Sequence, residues 1–200
     1  MVGSVLIHPS AEIEDDVVIG PGTRIWARAH IRRGARVGAD CVIGDDVFID
    51  VGVHVGDRCK VQNQALLYHG VTLDDEVFVG PQVCITNDRR PRAATPEGAL
   101  KGDADWRVTP VRVGRGASLG AGCVVVAGAD IGDHALIGAG TVVVRGVPPH
   151  ALVVGCPGRQ IGWVCVCGQS LDGRLACPGC GRGYLEASGG VEVRPRDPDT

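Results

Sequence analysis

Aliphatic side chains recur every six residues along this chain. The run starts at Ile7, passes through Ile13, Ile19 and Ile25, and reaches Ile85 without a miss, fourteen positions in all. It restarts at Val113 and continues through Leu119, Val125, Ile131, Ile137 and Val143. Four residues after each aliphatic comes a small or β-branched residue, such as Ala29, Cys41, Val53 or Ala65. Gly often follows the aliphatic directly, as at Gly20, Gly38, Gly56, Gly120 and Gly138. A period of six fits neither a helix, at about 3.6, nor a plain strand alternation, at about 2. It fits an all-β solenoid in which each hexad is one short strand and one corner. The aliphatic fills the interior, the small residue lets the wall turn, and Gly relaxes the corner backbone. A β-sandwich with frequent Gly turns does not hold one phase over so many hexads.

Composition supports this reading and narrows the function. The 200 residues suffice for one buried domain and a small appendage. Gly is abundant at 31, and aromatic residues are only 4%. That favours short strands and tight corners over a helical bundle. The net charge is -3, with no basic stripe, which argues against a nucleic-acid partner. No window carries the roughly 18 apolar residues of a membrane span. The first residues lack a basic stretch followed by a long apolar run, so no secretion signal is expected. A cytoplasmic protein is the expectation.

The hexads resemble those of the left-handed parallel β-helix acyltransferases, over roughly residues 5–160. In that family three hexads make a triangular coil of 18 residues, and three chains assemble into a trimer. "GPQVCITNDRRPR", "LIGAGTVVVRG" and "GCPGRQIGW" sharpen the resemblance. They are similar to the N-acetyltransferases that act on 3-amino sugars linked to UDP or dTDP. The resemblance implies acetyl-CoA as donor, a nucleotide sugar as acceptor, and sites between subunits of a homotrimer. It also implies an active-site role for Asn87, a border to adenine at Pro157, and one domain over residues 1–163.

The beat breaks once. After Ile85 the next position in phase is Pro91, yet the pattern resumes at Val113, 22 residues late. Arg89, Arg90, Arg92 and Arg107 stand in this break with Pro91, Pro96 and Pro110. A solenoid can extrude a loop here, about 88–110, without disturbing its core. On an 18-residue coil Asn87 stacks over His69, about 4.8 Å away at the backbone. One coil earlier the same slot holds the apolar Val51. A polar pair thus appears only beside the loop, and Asn87 and His69 are the catalytic candidates. A general base is needed where an amine attacks a thioester, and imidazole suits that task; simple positioning of a neutral amine is the alternative. Gln62, Asn63, Tyr68, Arg90 and Arg92 are the candidate substrate contacts, the two Arg for the diphosphate. Corner amides at Gly122 and Gly140 and their neighbours, with Arg145, Pro157 and Arg159, are the candidate contacts to CoA.

Nine Cys sort into two groups. Cys41, Cys59 and Cys123 fall in the small inward register and read as core. Cys84 stands outside it, with nothing beside it that activates a thiol. Cys165, Cys167, Cys177 and Cys180 form C-x-C…C-x-x-C with Gly after each pair. Four thiolates suit a closed tetrahedral structural Zn2+ site, which predicts a zinc ribbon over 164–186. The remainder, 187–200, reads as a disordered tail. Two other functions compete with acetyl transfer. A γ-class carbonic anhydrase on the same fold needs converging His, and its H-x-x-x-x-H pair is absent. A non-catalytic scaffold leaves the Asn87–His69 pair unexplained.

Overall fold

The computed structural model describes residues 3–187 and 189–194. Most strands are two residues long, an inward aliphatic preceded by an outward residue: Leu6–Ile7, Arg24–Ile25, Val42–Ile43. Pairing is parallel and steps by 18 residues, with Leu6 opposite Arg24 and Lys60 opposite Phe78. Three walls result, of nine, seven and five strands. The first wall counts eight parallel rungs before its closing antiparallel strand, so the solenoid runs for about eight turns.

The core lies along the axis. From Ile25 to Ile137 every beat residue is at most 2% exposed, and the small register is buried with it. Each such aliphatic contributes about 1.5–3 kcal/mol by leaving water. Cys41, Cys59 and Cys123 are buried there as expected, and burial pushes the Cys123 thiol up to about 12. Ile7 keeps the phase yet is 42% exposed, since among the described residues no coil lies beneath the first one.

The glycines after the beat have a different reason from the expected one. They do not sit at positive φ. A Cβ on Gly20, Gly38 or Gly120 would stand 2.3–2.5 Å from an atom of the next coil, mostly main chain. Close stacking, not backbone freedom, selects them. The left-handed conformation falls two residues further on, at Gly22 (φ 75°) and Gly122 (φ 66°), and equally at Asp40, Arg58 and Gln82.

The coil closes across the break in unchanged register. Val71 pairs with Val111, Phe78 with Ser118 and Cys84 with Val124. The loop between them carries a bridge from Ala94 to Leu100 and one turn of 3-10 helix at Asp103–Asp105. At its neck the Thr109 amide donates to the Asn87 carbonyl at 2.9 Å.

After the last parallel strand, Ala151–Val154, the chain returns as Arg159–Trp163 and enters the ribbon. Tyr184–Ala187 pairs with Gly190–Val193, and Tyr184 and Val191 are buried beside Cys165 and Cys177. The ribbon therefore extends past residue 186 into the expected tail. A V-E-V alternation after two Gly forms the second strand there, where position at the chain's end alone read as disorder. Of that tail, residues 188 and 195–200 lie outside the described residues.

Candidate active site and cysteine cluster

His69 and Asn87 share the corner between the second and third walls. The Asn87 amide Nδ2 donates to the His69 carbonyl at 3.1 Å, which fixes the stacking and turns its Oδ1 away, free to accept. The His69 Nδ1 stands 2.6 Å from the Val51 carbonyl. A carbonyl only accepts, so Nδ1 carries a proton, and in the tautomer this selects Nε2 is the acceptor nitrogen on an exposed side chain. The His69 amide donates to Asp50 Oδ2 at 3.1 Å, and Asp50 Oδ1 accepts from Arg32 at 2.9 Å. Asp50 is thus a support that the sequence pattern did not single out. Tyr68, next to His69, packs on Phe48 with ring centroids 5.8 Å apart. Gly70 follows at φ 91°, and the loop's exit, Val108 and Pro110, covers it where a side chain would stand.

The loop frames two open clefts that share Asp88, Lys101 and Trp106. One, of about 560 Å³, is lined by Asn87, Asp88, Arg92 and Lys101 together with Pro91, Ala93, Leu100 and Trp106. The other, of about 700 Å³, is lined by Arg89, Arg90, Arg107 and Lys101 with Asp88 and Asp105. Trp106, Leu100 and Lys101 were not among the expected contacts; only the loop's length and its Arg pointed to the place.

Gln62 and Asn63 do not join this corner within one chain. They stand on the corner between the first and second walls, where Asn63 Oδ1 accepts the Asp45 amide at 3.1 Å. That bond is one rung of a ladder in which Asp45 likewise accepts from Ala27, so Asn63 has a structural partner.

The amides of Gly122 and Gly140 are not exposed donors. They bond the Pro81 and Ala121 carbonyls at 2.8 and 2.9 Å. Their neighbours differ: the Ala121 and Ala139 amides have no acceptor among the described residues. At these positions the ladder lacks its Asp or Asn: one coil on from Ala121 is Ala139, and one coil on from Ala139, where pairing steps by only 16 residues with Ile137 opposite Val153, is Gly155. The 155–158 turn closes over this end. Gly158 donates to the Val142 carbonyl at 2.8 Å, which brings Pro157 near the Gly140 corner. Arg145 is exposed and lines a small cleft of about 210 Å³ with Gly158 and Gln160, while Arg159 points its guanidinium to the Gly158 carbonyl.

The four ribbon cysteines do come together. Their Sγ atoms all lie within 4.8 Å of one another. Cys165 and Cys180 are 3.4 Å apart, and Cys167 and Cys177 3.5 Å. A tetrahedral ion with sulfur at about 2.3 Å needs S···S separations of about 3.8 Å, so the cluster has the size for one. Around it, the Tyr184 hydroxyl donates to Cys165 Sγ at 3.2 Å and the Arg182 guanidinium to Cys180 Sγ at 3.2 Å. Hydrogen bonds from the Arg182 amide and guanidinium bring Cys180 down to about 6, the thiolate form that a metal requires.

The bacterial transferase hexapeptide model, six repeats, matches residues 16–53 and 110–145. Both stretches carry the six-residue beat that builds the solenoid. Among curated relatives, it is 40% identical over 80 residues to the dTDP-3-amino-3,6-dideoxy-alpha-D-galactopyranose 3-N-acetyltransferase of Aneurinibacillus thermoaerophilus. That stretch is 38% of this chain and 41% of the relative, so the chain spans less than half of the relative's length. Two solved structures share the fold. One is a GDP-perosamine N-acetyl transferase variant from Caulobacter crescentus, bound to CoA and GDP-perosamine. It has TM-score 0.55 and 24% identity, over 81% of this chain and 58% of that one. The other is the acetyltransferase domain of PglB from Neisseria gonorrhoeae, with TM-score 0.53 and 21% identity, over 80% and 59%. Among the described residues no helix is long and apolar enough to cross a membrane.

Proposed function

We propose that this protein transfers the acetyl group of acetyl-CoA to the amine of a UDP- or dTDP-linked amino sugar, a 3-amino-deoxy sugar above all. The observation that carries this is the neighbouring pair of acceptors, His69 Nε2 and Asn87 Oδ1, at the mouth of a cationic loop. The stretch of 40% identity to a 3-amino sugar N-acetyltransferase supports it.

The chemistry follows from the pair. Asn87 Oδ1 accepts one N–H of the neutral amine and orients its lone pair toward the thioester carbonyl. His69 Nε2 accepts the proton lost as the C–N bond forms, and returns it to the departing CoA sulfur. The Val51 carbonyl holds Nδ1–H and stabilises the imidazolium between those events. The free Ala121 and Ala139 amides, with Arg145, Pro157 and Arg159 nearby, offer donors and charge to CoA. Asn63 and Gln62 reach a site only from a neighbouring copy, which is why a homotrimer with shared sites fits. The four ribbon cysteines would hold one structural Zn2+, which crosslinks the ribbon and leaves no position for water.

The test is to incubate the purified chain with acetyl-CoA and a panel of nucleotide-linked amino sugars and to follow thiol release. Release with at least one 3-amino sugar is expected, and none with any amine overturns the reading. In the same assay His69→Asn should lower kcat by about 10²–10⁴-fold, and Asn87→Ala by about 100-fold, with assembly unchanged by light scattering. Full activity in both variants would move the site elsewhere.

A further inference from the structure

Four corner carboxylates of the solenoid share one task. Asp45, Asp57, Asp75 and Asp133 each accept a backbone amide of the coil before them, those of Ala27, Ala39, Asp57 and Arg115, at 2.8–3.1 Å. Asp50 faces the other way. It stands directly after Ile49, the place that Gly44 and Gly56 hold on the neighbouring corners. A Cβ on either glycine would stand 2.7 Å from an amide nitrogen of the next coil, that of Asn63 or Asp75. Beside Asp50 the amide in that place belongs to His69, and it donates to Asp50 Oδ2 at 3.1 Å. Asp50 Oδ1 accepts the Val51 amide at 2.7 Å and the Arg32 guanidinium at 2.9 Å. Arg32 is itself held, since its Nε donates to Glu14 Oε1 at 3.3 Å. The Asp50 side chain is 13% exposed, the least of the carboxylates paired with Arg among the described residues.

These bonds reach the imidazole. Val51 and His69 lie one coil apart, and Asp50 holds the amides of both. The Val51 carbonyl meets His69 Nδ1 at 2.6 Å, and the His69 carbonyl meets Asn87 Nδ2 at 3.1 Å. Gly52, at φ 66°, leaves room beside the ring, whose nearest atoms lie 3.9 Å from the place of its absent Cβ. We infer that Asp50 is the positioning residue of this corner. It touches no reacting atom. It fixes the two coils so that Nδ1 keeps its proton on the Val51 carbonyl and Nε2 stays the acceptor. A carboxylate can serve all three N–H groups because both of its oxygens only accept. An amide at residue 50 turns an NH2 group toward one of those donors, and the coils relieve that by shifting. The Val51 carbonyl then loosens from Nδ1, and the ring can hold its proton on either nitrogen. An Nε2–H ring cannot take a proton from an amine. This rests on the acetyl-transfer reading and adds to it the residue that prepares the base.

The experiment reads the side-chain nitrogen shifts of His69 by NMR in the full chain, assigned by their loss in His69→Asn, alongside kcat and KM. The parent ring should be mainly Nδ1–H. In Asp50→Asn the ratio of Nδ1–H to Nε2–H should fall by about fivefold or more. Its kcat should fall by about tenfold or more while KM for acetyl-CoA stays within about threefold. Arg32→Met, which removes only the outer anchor, should move both in the same direction by less, and it carries the test if Asp50→Asn does not fold. Asp57→Asn takes the same kind of support from another corner. It should lower the urea midpoint and leave the ratio and kcat unchanged, which separates positioning from plain stability. A parent ring that is mainly Nε2–H, a ratio unchanged in Asp50→Asn and Arg32→Met, or a changed ratio with full kcat overturns the inference and leaves acetyl transfer standing. Acetylation of no amine on the panel overturns the proposed function, and the ratio by itself then shows whether Asp50 sets the ring.

Discussion

Gly120 and Gly122 look alike in the sequence and do opposite things. A Cβ on Gly120 would stand 2.5 Å from the Ala139 nitrogen, and a main-chain atom cannot swing aside. Gly122 has φ 66° and open space where its Cβ would be. Gly120→Ala should therefore cost near the top of about 1–3 kcal/mol, and Gly122→Ala about 1 kcal/mol. Urea midpoints of the two variants check this; equal midpoints would defeat the stacking account. The same pair shows what a sequence can reveal at this scale. The inward beat was legible because each such position asks for one property, apolar bulk. The corner donors were not, because whether an amide is free depends on the side chain one coil further on. Ala27 finds Asp45 there and Ala121 finds Ala139. The stacking of Asn87 on His69 was legible from the coil length, whereas Asp50, which holds the His69 amide, was hidden in an ordinary corner.

At the level of elements, the join across the loop is held by side chains as well as by strands. Glu76 accepts from Arg115, which follows the loop, at 2.9 Å, and from Arg58, one coil before, at 2.9 Å. Arg112 and Asp74 form a second pair across the same join. The Arg115 guanidinium first, then that of Arg58, holds Glu76 down to about 2 from an ordinary 4.5. A carboxylate depressed on folding stabilises fully above its ordinary range and loses that contribution as pH falls from about 4.5 toward 2. Glu76→Gln should accordingly be less stable than the parent at pH 7 and equal to it near pH 2, as urea midpoints across that range will show. A gap that persists at pH 2 would mean that charge is not the cause. The loop's position and length could be read from the lost phase. Its two clefts could not, because Trp106 and Leu100 acquire their roles only once the Ala94–Leu100 bridge folds the loop on itself.

Over the whole molecule, the two ends of the solenoid are finished differently. At the first coil Val5, Leu6 and Ile7 remain exposed. At the last, the ribbon docks: His150 stacks on His134, meets Tyr184 edge-on at 5.1 Å, and exchanges hydrogen bonds with Val164. Trp163 packs against both cores. Metal analysis of the purified chain should find one zinc per chain, and a strong chelator should perturb the Trp163 and Tyr184 near-ultraviolet signal while the β-solenoid far-ultraviolet signal persists. Absence of bound zinc would refute the metal ribbon. The solenoid owes its stability to stacked hexads, whereas the ribbon core counts four buried residues among the described ones and would gain most from the crosslink a bound Zn2+ would supply.

Strand pairing passes the insertion as though nothing had been added, with both ends of the loop meeting at Asn87 and Thr109. The body and the loop are therefore separable in design. A related loop of different length and side chains, spliced between the same two residues, would meet the same strands. Under the proposed function, acceptor preference could then be exchanged as a cassette while the far end of the solenoid stays as it is.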